Sequence, residues 1–446
     1  MKKAPSVFII FLTVFIDLMG FGVVVPMLPL YTRDFGAHGI VIGLIFSAYS
    51  IMQFIFSPIW GKFSDRIGRR PVLLMSTAAA CTSYIIFALA SGMANTTLAL
   101  ALIILSRVLA GICGGNIAVA QAYIADITPA EKRSKMMGMI GMAIGLGFVF
   151  GPGIGAFSLS TMGLPGPGWI AAVLSGCNFI LAFSILPESR KPGSEQARQR
   201  PHLDQWIHTL TRPKVGMLII VFFLATFCFS CFEVTLSLLV SDNFHLEIVN
   251  AGKTAGYLIV FVGLVGALFQ GGATGRLVKK LGEPKLILTS LFLTGIAMII
   301  VPFMQGAPQL SWSILFRSEG WPWIKLIIAL CVLAIGSNLA RPPIFGMISN
   351  LTSADEQGAT IGVAQGSGSM ARILGPIFAT GLYSIKFLPH GIANSLQSLS
   401  SAFARPGIIP YVTCGIIAML TGILAVLRLS RSSLPASRPA ETTTAP

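Results

Sequence analysis

The stretch GKFSDRIGRRPVLL, residues 61–74, returns in altered form as GRLVKKLGEPKLIL, residues 275–288. Both copies follow a long apolar run. Both also keep glycine at their first and eighth positions, so that Gly61 corresponds to Gly275 and Gly68 to Gly282. A segment that recurs in the same context indicates an internal repeat. The chain therefore divides into two related halves.

A second repeat supports the same division. DITPAE, from Asp126, matches NLTSAD, from Asn350, and the match extends to the Gly-Pro pairs at 151–152 and 375–376. The offset of this match is slightly larger than that of the first, which a longer loop in the second half explains. Together the two matches indicate two parallel halves.

The composition is that of a membrane protein. Of the 446 residues 54% are hydrophobic and 11% are charged, with a mean hydropathy of +0.80, whereas soluble domains carry about 25% charged residues. A transmembrane helix needs about 20 apolar residues. The sequence predicts twelve such spans, near 6–31, 40–62, 71–92, 96–124, 134–158, 167–186, 214–240, 252–276, 285–304, 324–349, 358–385 and 407–429.

The predicted fold is all-α, with the twelve transmembrane helices arranged in two pseudo-symmetric six-helix bundles. The bundles cover residues 1–186 and 214–430. Between them lies a polar, basic linker, residues 187–213, in which 202–211 could form a short surface helix. Residues 431–446 are rich in Ser, Thr, Pro and Ala, a composition typical of a disordered tail.

The net charge of +15 would suit nucleic-acid binding, but the placement of the charges indicates topology instead. Most of the 31 Lys and Arg residues lie in the connections on the side of the N-terminus. An excess of positive charge marks the cytoplasmic side of a membrane protein. We therefore expect a multi-pass protein of the plasma or inner membrane, with both termini cytoplasmic and no nucleic-acid partner.

Five formally charged residues stand inside the predicted spans: Asp17, Arg107, Glu233, Arg341 and Arg372. Charged groups are costly in hydrocarbon and usually face a water-filled cavity. Asp17 and Glu233 occupy related positions in the first span of each half, and a carboxyl that gains and loses a proton could couple transport to a proton gradient. The alternative is that each acid pairs permanently with an arginine. Arg107 could stabilise a nearby acid.

The second half holds Arg341 and Arg372 with only Glu233 to balance them, which leaves a positive charge for an anionic substrate. Neutral polar residues in the spans offer hydrogen bonds either to a substrate or between helices. As substrate contacts we predict, besides the two arginines, Gln53, Asn116, Gln121 and Gln365. Tyr49, Phe232 and Phe345 are candidates for aromatic contact surface.

Two further groups of residues suggest mechanical roles. In the loop around Asp65, the acid can stabilise a helix N-terminus, and the arginines can bridge to inner-side acids such as Asp126, which would latch the halves together. The latch comprises Gly61, Asp65, Arg66, Gly68, Arg69, Arg70 and Asp126. Gly147, Gly151 and Gly155 follow the small-xxx-small spacing that brings helices close together, and Pro152 adds a bend.

These segments resemble the major facilitator superfamily, specifically its 12-span drug:proton antiporters. GKFSDRIGRRP is similar to the family's signature between the second and third spans, LSRVLAGICGG carries the fourth-span arginine, and GFVFGPGIGA resembles the fifth-span antiporter pattern, with Ala156 in place of its last glycine. The resemblance implies the major facilitator fold, proton-coupled antiport and a coupling role for Arg107.

The N-terminal half is particularly similar to tetracycline efflux pumps, through PMLPLYTRDFG, SPIWGKFSDRIGRRPVLL, SRVLAGI and AYIADITPAEKR. Those pumps carry an acid in the third span, where this chain has Ser83, and another in the ninth, where it has none. FSCFEVTLSLL and GSMARILGP, around Glu233 and Arg372, are closer to the animal tetracycline-transporter-like branch, for which organic anions are among the implied substrates.

The function predicted from the sequence is proton-coupled export of an amphiphilic organic compound by alternating access, with organic anions as one candidate class. The alternatives are an organic-anion facilitator or symporter of the same fold and a membrane ligand sensor. No nucleophile-base pair, metal cluster or phosphate-binding GxxxxGK[ST] loop occurs in the sequence, so we expect neither an enzyme nor a cofactor. The predicted partners are the substrate, protons and lipid, and the predicted state is a monomer.

Overall fold

The computed structural model describes residues 7–189, 202–306, 320–352, 354–383 and 407–429. In these ranges the secondary structure is helical, with a single 3-10 turn at Val301–Phe303. The helices of the first half are α1 Val7–Val24, α2 Leu28–Asp34, α3 Ile40–Ile67, α4 Arg69–Ser91, α5 Thr96–Gly114, α6 Asn116–Ile127, α7 Ala130–Met162 and α8 Gly166–Ile185. Those that follow are α9 His202–Thr211, α10 Pro213–Asn243, α11 Ile248–Gly272, α12 Thr274–Leu281, α13 Glu283–Ile300, α14 Trp321–Leu339, α15 Arg341–Asn350, α16 Ala354–Tyr383 and α17 Ile408–Leu429.

The helix ends reproduce the sequence repeat. α3 ends at Gly68, whose φ is +104°, and α12 ends at the equivalent Gly282, whose φ is +76°. Both angles lie in the left-handed region that glycine adopts without steric cost. A glycine at each place therefore lets the chain turn sharply from one span into the next, which explains why the repeat keeps it.

Among the described residues, eleven helical stretches are long and apolar enough to cross a membrane. They correspond in position to eleven of the twelve predicted spans. The remaining prediction, 358–385, falls on α16, a 30-residue helix rich in glycine and alanine, except for residues 384–385, which lie outside the described residues. The all-α membrane fold is confirmed, and the count of twelve stays a prediction.

Several spans consist of two helices with a break between them. The first span is interrupted between α1 and α2, the fourth at Gly115 between α5 and α6, and the tenth at Ala340 between α14 and α15. Pro342 and Pro343 stand at the start of α15, where a missing N–H costs nothing. The prolines therefore begin a new helix rather than kink an existing one.

The two halves meet along two pairs of helices, α3 with α16 and α7 with α11. A Cβ built at Gly43 would come within 2.7 Å of Thr380, Pro376 and Ile377, and one at Gly256 would come within 2.9 Å of Pro152 and Ala156. These approaches lie toward the predicted outer side. Near the predicted inner ends of α7 and α16, a Cβ built at Gly141 or Gly362 would meet no atom within 4 Å. Among the described glycines, the close approaches between the bundles therefore lie toward the predicted outer side.

The linker helix predicted over 202–211 is present as α9, and it packs on the second half. The indole of Trp206 lies against α16, where a Cβ at Gly366 would come within 2.6 Å of it. The predicted disordered tail, residues 431–446, lies outside the described residues.

Candidate functional site

The first part of the candidate site forms where the break in the fourth span faces α1. α6 begins at Asn116, which is buried, and the Asn116 Nδ2 donates a hydrogen bond to Asp17 Oδ2 at 3.2 Å. Asp17 itself is half-buried. Among the described residues this is the only hydrogen bond of the Asp17 carboxylate, and no arginine forms an ion pair with it. A neutral amide thus holds the acid, which leaves the carboxyl able to accept a proton.

Arg107 is buried with 1% exposure, yet it has no carboxylate partner among the described residues. Its Nε donates to Ser106 Oγ at 3.3 Å, and its Cζ lies 5.0 Å from the centroid of the Phe87 ring and 5.7 Å from that of Tyr84. Its Nη2 is buried without a hydrogen-bond partner. The aromatic faces supply part of the stabilisation that the cation needs, and one donor remains available for water or a ligand.

Tyr49 connects the two halves of the site. Its ring packs on Phe21, with centroids 4.2 Å apart, and it interacts electrostatically with Asp17 and Arg107 of its own bundle and with Arg372 of the other. The sequence singled out Tyr49 only as an aromatic candidate. The structure places it where it interacts with the charged groups of both bundles.

The second part of the site is formed by the other bundle. Glu233 is half-buried on α10 and interacts electrostatically with Arg372 on α16, whose Nη2 donates to Ser369 Oγ at 3.2 Å. The side chain of Arg341 is exposed at the start of α15, and its Cζ lies 5.6 Å from the centroid of the Phe222 ring. Arg341 and Arg372 are close enough to repel each other. Glu233 therefore has an arginine neighbour, in contrast to Asp17.

The predicted polar contacts have different surroundings. The Gln53 Nε2 donates to the Gly114 carbonyl at 3.0 Å and so joins α3 to α5, while Gln121 and Gln365 are exposed. The aromatic candidates also differ, because Phe232 is buried in the core against Tyr411, whereas Phe345 lies beside Phe222. Sequence reasoning missed Phe222 and Tyr84, since one apolar or aromatic residue among many carries no distinguishing signal.

The loop around Asp65 forms ion pairs inside the first bundle. Arg69 Nη2 lies 2.7 Å from Asp65 Oδ1, and Arg69 Nε lies 3.1 Å from Asp126 Oδ2. The backbone N–H groups of Arg69 and Arg70 donate to the Glu188 carboxylate at the end of the sixth span. In this arrangement the contacts tie the loop to its own bundle. The proposed latch between the halves stays a prediction.

The glycines of the fifth span pack against the first. A Cβ at Gly151 would come within 2.7 Å of the backbone of Met19 and Gly22, and one at Gly155 would come within 2.2 Å of the Val23 carbonyl. Gly147 lies against Leu18 in the same way. The close approach of α7 fixes α1, and therefore helps to position Asp17.

On the predicted outer side, a polar network joins the bundles. The Arg33 guanidinium pairs with Asp242 at 2.8 Å and donates to Ser241 Oγ at 2.8 Å, and the Tyr383 hydroxyl donates to the other Asp242 oxygen at 2.7 Å. Arg33 belongs to the first half, and its partners belong to the second. This network closes the site on the predicted outer side.

Comparisons with known proteins agree with this architecture. The family model described as Major Facilitator Superfamily matches residues 10–376. The chain is 32% identical to the class E tetracycline resistance protein of Escherichia coli over 83% of its own length and 86% of that protein. It is 27% identical to the quinolone resistance protein NorA of Staphylococcus aureus over 85% of its own length and 90% of that protein.

Solved structures share the fold. The human organic anion transporter MFSD10 superimposes with a TM-score of 0.57 at 24% identity, covering 94% of this chain and 98% of that one. A D-xylose-proton symporter superimposes with a TM-score of 0.68 at 16% identity, covering 94% and 96%. At these sequence identities, the comparison shows only that the fold is shared. The resemblance read from the sequence motifs is confirmed by the family match.

Proposed function

This chain belongs to the Major Facilitator Superfamily, and on that premise we propose that it is a proton-coupled antiporter that exports an amphiphilic organic compound. It is an integral membrane transporter and not an enzyme. The relatives named for tetracycline and quinolone resistance support export of organic compounds. Transport proceeds by alternating access, in which the two bundles rock around a central site.

The observation that carries the proposal is the Asp17 carboxyl, held by Asn116 and without an arginine partner among the described residues. A permanently ion-paired acid would keep its charge throughout the cycle and could not exchange protons. An acid beside a neutral amide can be protonated for the step in which the cavity closes around it, because burial disfavours the charged form. Asp17 is therefore our first candidate for the proton carrier, ahead of Glu233 with its Arg372 neighbour.

Arg107 supports this site indirectly. Its guanidinium lies on Phe87 and Tyr84, and Tyr84 in turn interacts electrostatically with Asp17. We assign Arg107 the role of a positioning residue, which stabilises the polar pathway around the carboxyl without binding it. Its free Nη2 donor can hold a water molecule on that pathway.

The proposal also covers the orientation of the protein, its membrane and its oligomeric state. The basic side faces the cytoplasm, with both termini there, and the membrane is the plasma or inner membrane. A single chain holds a complete path between its bundles, so the transporting unit is a monomer. The proton gradient supplies the energy, and no cofactor is needed. The Asp65 loop acts as a mechanical latch, whose ion pairs rearrange when the inner side closes.

A symporter of organic anions is the second candidate, and the proximity of Glu233 to Arg372 favours it. An anion that binds Arg372 would compete with the Glu233 carboxylate, which would then attract a proton. Anion and proton would in that case bind together and move in the same direction. The direction of proton movement therefore separates the two candidates.

The test is proton movement in sealed proteoliposomes that contain a pH dye, with a panel of amphiphilic cations and organic anions. We expect compound addition to trigger proton flux opposite in direction to the compound. Asp17→Asn should reduce this flux to the level of empty liposomes, whereas Asp34→Asn, which alters an exposed acid in the same span, should leave it unchanged.

Two results would contradict the proposal. Compound uptake without proton flux, unchanged in Asp17→Asn and Glu233→Gln, would indicate a facilitator whose acids are structural. Proton flux in the same direction as the compound, lost in Glu233→Gln but kept in Asp17→Asn, would indicate the symporter.

A further inference from the structure

The second bundle presents a cation that nothing in its surroundings neutralises. Arg341 is exposed although it lies inside the fold, among α10, α15 and α16. Among the described residues it makes no hydrogen bond or ion pair, and its one specific contact is with the face of Phe222. A guanidinium keeps its charge at any physiological pH. The hydrogen-bond donors of the Arg341 guanidinium are therefore all available to a ligand.

The charges around Arg341 do not cancel. Arg372 is near enough to repel it, and the one acid that interacts with Arg372 is Glu233. The guanidinium groups of Arg341 and Arg372 and the carboxylate of Glu233 together leave one surplus positive charge in this part of the second bundle. An anionic group on a ligand would remove that surplus and would accept two parallel hydrogen bonds from the Arg341 guanidinium.

The surface beside the cation is aromatic. The Phe222 and Phe345 rings meet edge to face, with centroids 5.0 Å apart. Phe222 is buried, and it lies against α16, where a Cβ at Gly368 would come within 2.9 Å of its ring. Phe345 is half-buried, so part of its ring remains available for contact. An apolar ring on the ligand can pack against it while the charged group binds the guanidinium.

We propose that Arg341, Phe222 and Phe345 form a subsite for the charged end of an amphiphilic organic anion, with a carboxylate or sulfonate on Arg341 and an aromatic ring beside the two phenylalanines. This inference deepens the proposed function and rests on it, because it names the substrate class of the same central site. Arg372, balanced by Glu233, shapes the electrostatic field of the subsite and need not bind the anion itself.

The position of Arg341 explains how an anion can be exchanged for a proton. Arg341 is the first residue of α15, and Asn116 is the first residue of α6, so the two bundles use equivalent helix breaks. One break holds the Asp17 carboxyl and the other holds the anion. If the anion bound beside Asp17, its negative charge would favour protonation of that carboxyl, although in antiport the substrate and the proton have to bind in alternation. Binding on the opposite bundle, close to Arg372, keeps the anion away from Asp17.

The subsite is tested by equilibrium binding to the full chain in detergent, measured by isothermal titration calorimetry. The probes are 1-naphthaleneacetate and its uncharged amide, which share a ring and differ in charge. We expect the anion to bind at least about tenfold more tightly than the amide, the factor that one charge-assisted hydrogen-bond pair provides. Arg341→Gln should abolish the preference, and Arg341→Lys should restore part of it. Arg276→Gln, which removes an exposed arginine of the same bundle, should leave the preference unchanged.

Equal affinity of wild type for the two probes, or a preference that survives in Arg341→Gln, would overturn the subsite. A thermal melt of each variant shows whether it is folded, and Arg341→Lys provides the test if the glutamine variant is not. The binding measurement needs no gradient, so Asp17→Asn should keep the anion preference. A preference that persists in a protein without proton flux would refute only the proposed antiport, and flux without the preference would refute only the subsite.

Discussion

Asn116 gives Asp17 a hydrogen bond without giving it a counter-charge. The distance of 3.2 Å is at the long end for an amide donor, so the bond orients the carboxyl without strong stabilisation of its ionised form. An arginine at this place would fix the negative charge and remove the acid from proton exchange. In the proposed mechanism, proton coupling depends on this neutral amide beside the Asp17 carboxyl.

We expect Asn116→Leu to lower the number of protons moved per compound transported, because the Asp17 carboxyl loses the donor that orients it. Asn178→Leu is the matched control, since the Asn178 amide also holds α1, through the Thr13 carbonyl at 2.9 Å, but does not touch the acid. That control should lose about 0.5–1.5 kcal/mol of stability, the net contribution of one hydrogen bond, and should keep the ratio.

The ratio is measured with the pH dye and a radiolabelled compound in the same proteoliposomes. An unchanged ratio in Asn116→Leu would show that the amide has only a structural role. Equal losses in both variants would mean that any loosening of α1 uncouples transport.

The charged residues could be singled out from the sequence, because a charge in an apolar span stands out. The sequence did not predict their partners. Asn116 was expected to contact substrate. Its bond to Asp17 depends on how α1 and α6 are rotated relative to each other, and the two residues are 99 positions apart in sequence. Phe222 could not be singled out at all, because its role follows from lying next to Arg341.

Glycines bring the helices of the two bundles close together, beside apolar side chains of both halves such as Met27 and Leu238. Gly43 on α3 allows the backbone of α16 to approach closely, and Gly256 on α11 does the same for α7. Ser47 Oγ donates to the Ile373 carbonyl at 2.7 Å on the same α3 face. Such surfaces are held by close packing and a few hydrogen bonds, so they can separate and close again during a cycle.

Gly43→Ala should therefore open the outer side. The added methyl would meet backbone atoms of Pro376 and Ile377 that cannot move as a side chain does, and we expect the closed arrangement to be destabilised by about 1–3 kcal/mol. Gly141→Ala, which adds the same methyl in open space, is the matched control.

The measurement is the reaction of a cysteine introduced at Ile42 with a membrane-impermeant maleimide, in a chain without its seven native cysteines. Ile42 is buried on the outer side, with 4% exposure, so faster labelling in Gly43→Ala than in Gly141→Ala reports opening. Equal rates in the two variants would show that the contact does not control the outer side.

Helix boundaries that contain a glycine turn were predictable from the repeat, as the ends of α3 and α12 show. The break in the fourth span was not, because Gly114 and Gly115 also fit the small-residue packing of a continuous helix. In the tenth span, Pro342 and Pro343 lie at a helix break, where they start α15.

In the molecule as a whole, a polar network joins the bundles on the predicted outer side. Arg33, Asp242 and Tyr383 form it, while a Cβ at Gly141 or Gly362, near the predicted inner ends, would meet no atom within 4 Å. The two-bundle plan was predictable because the repeat is visible in the sequence, whereas the contacts that join the bundles are a property of tertiary packing alone.

Uphill transport driven by a proton gradient is the decisive measurement of proton-coupled export. Inside-out proteoliposomes with an acidic interior are given a labelled amphiphile at equal concentrations inside and outside. We expect the compound to accumulate in the lumen as protons leave, and we expect neither a protonophore-treated sample nor Asp17→Asn to accumulate it. Accumulation in neither wild type nor variant, with only equilibration of the label, would contradict proton-coupled export.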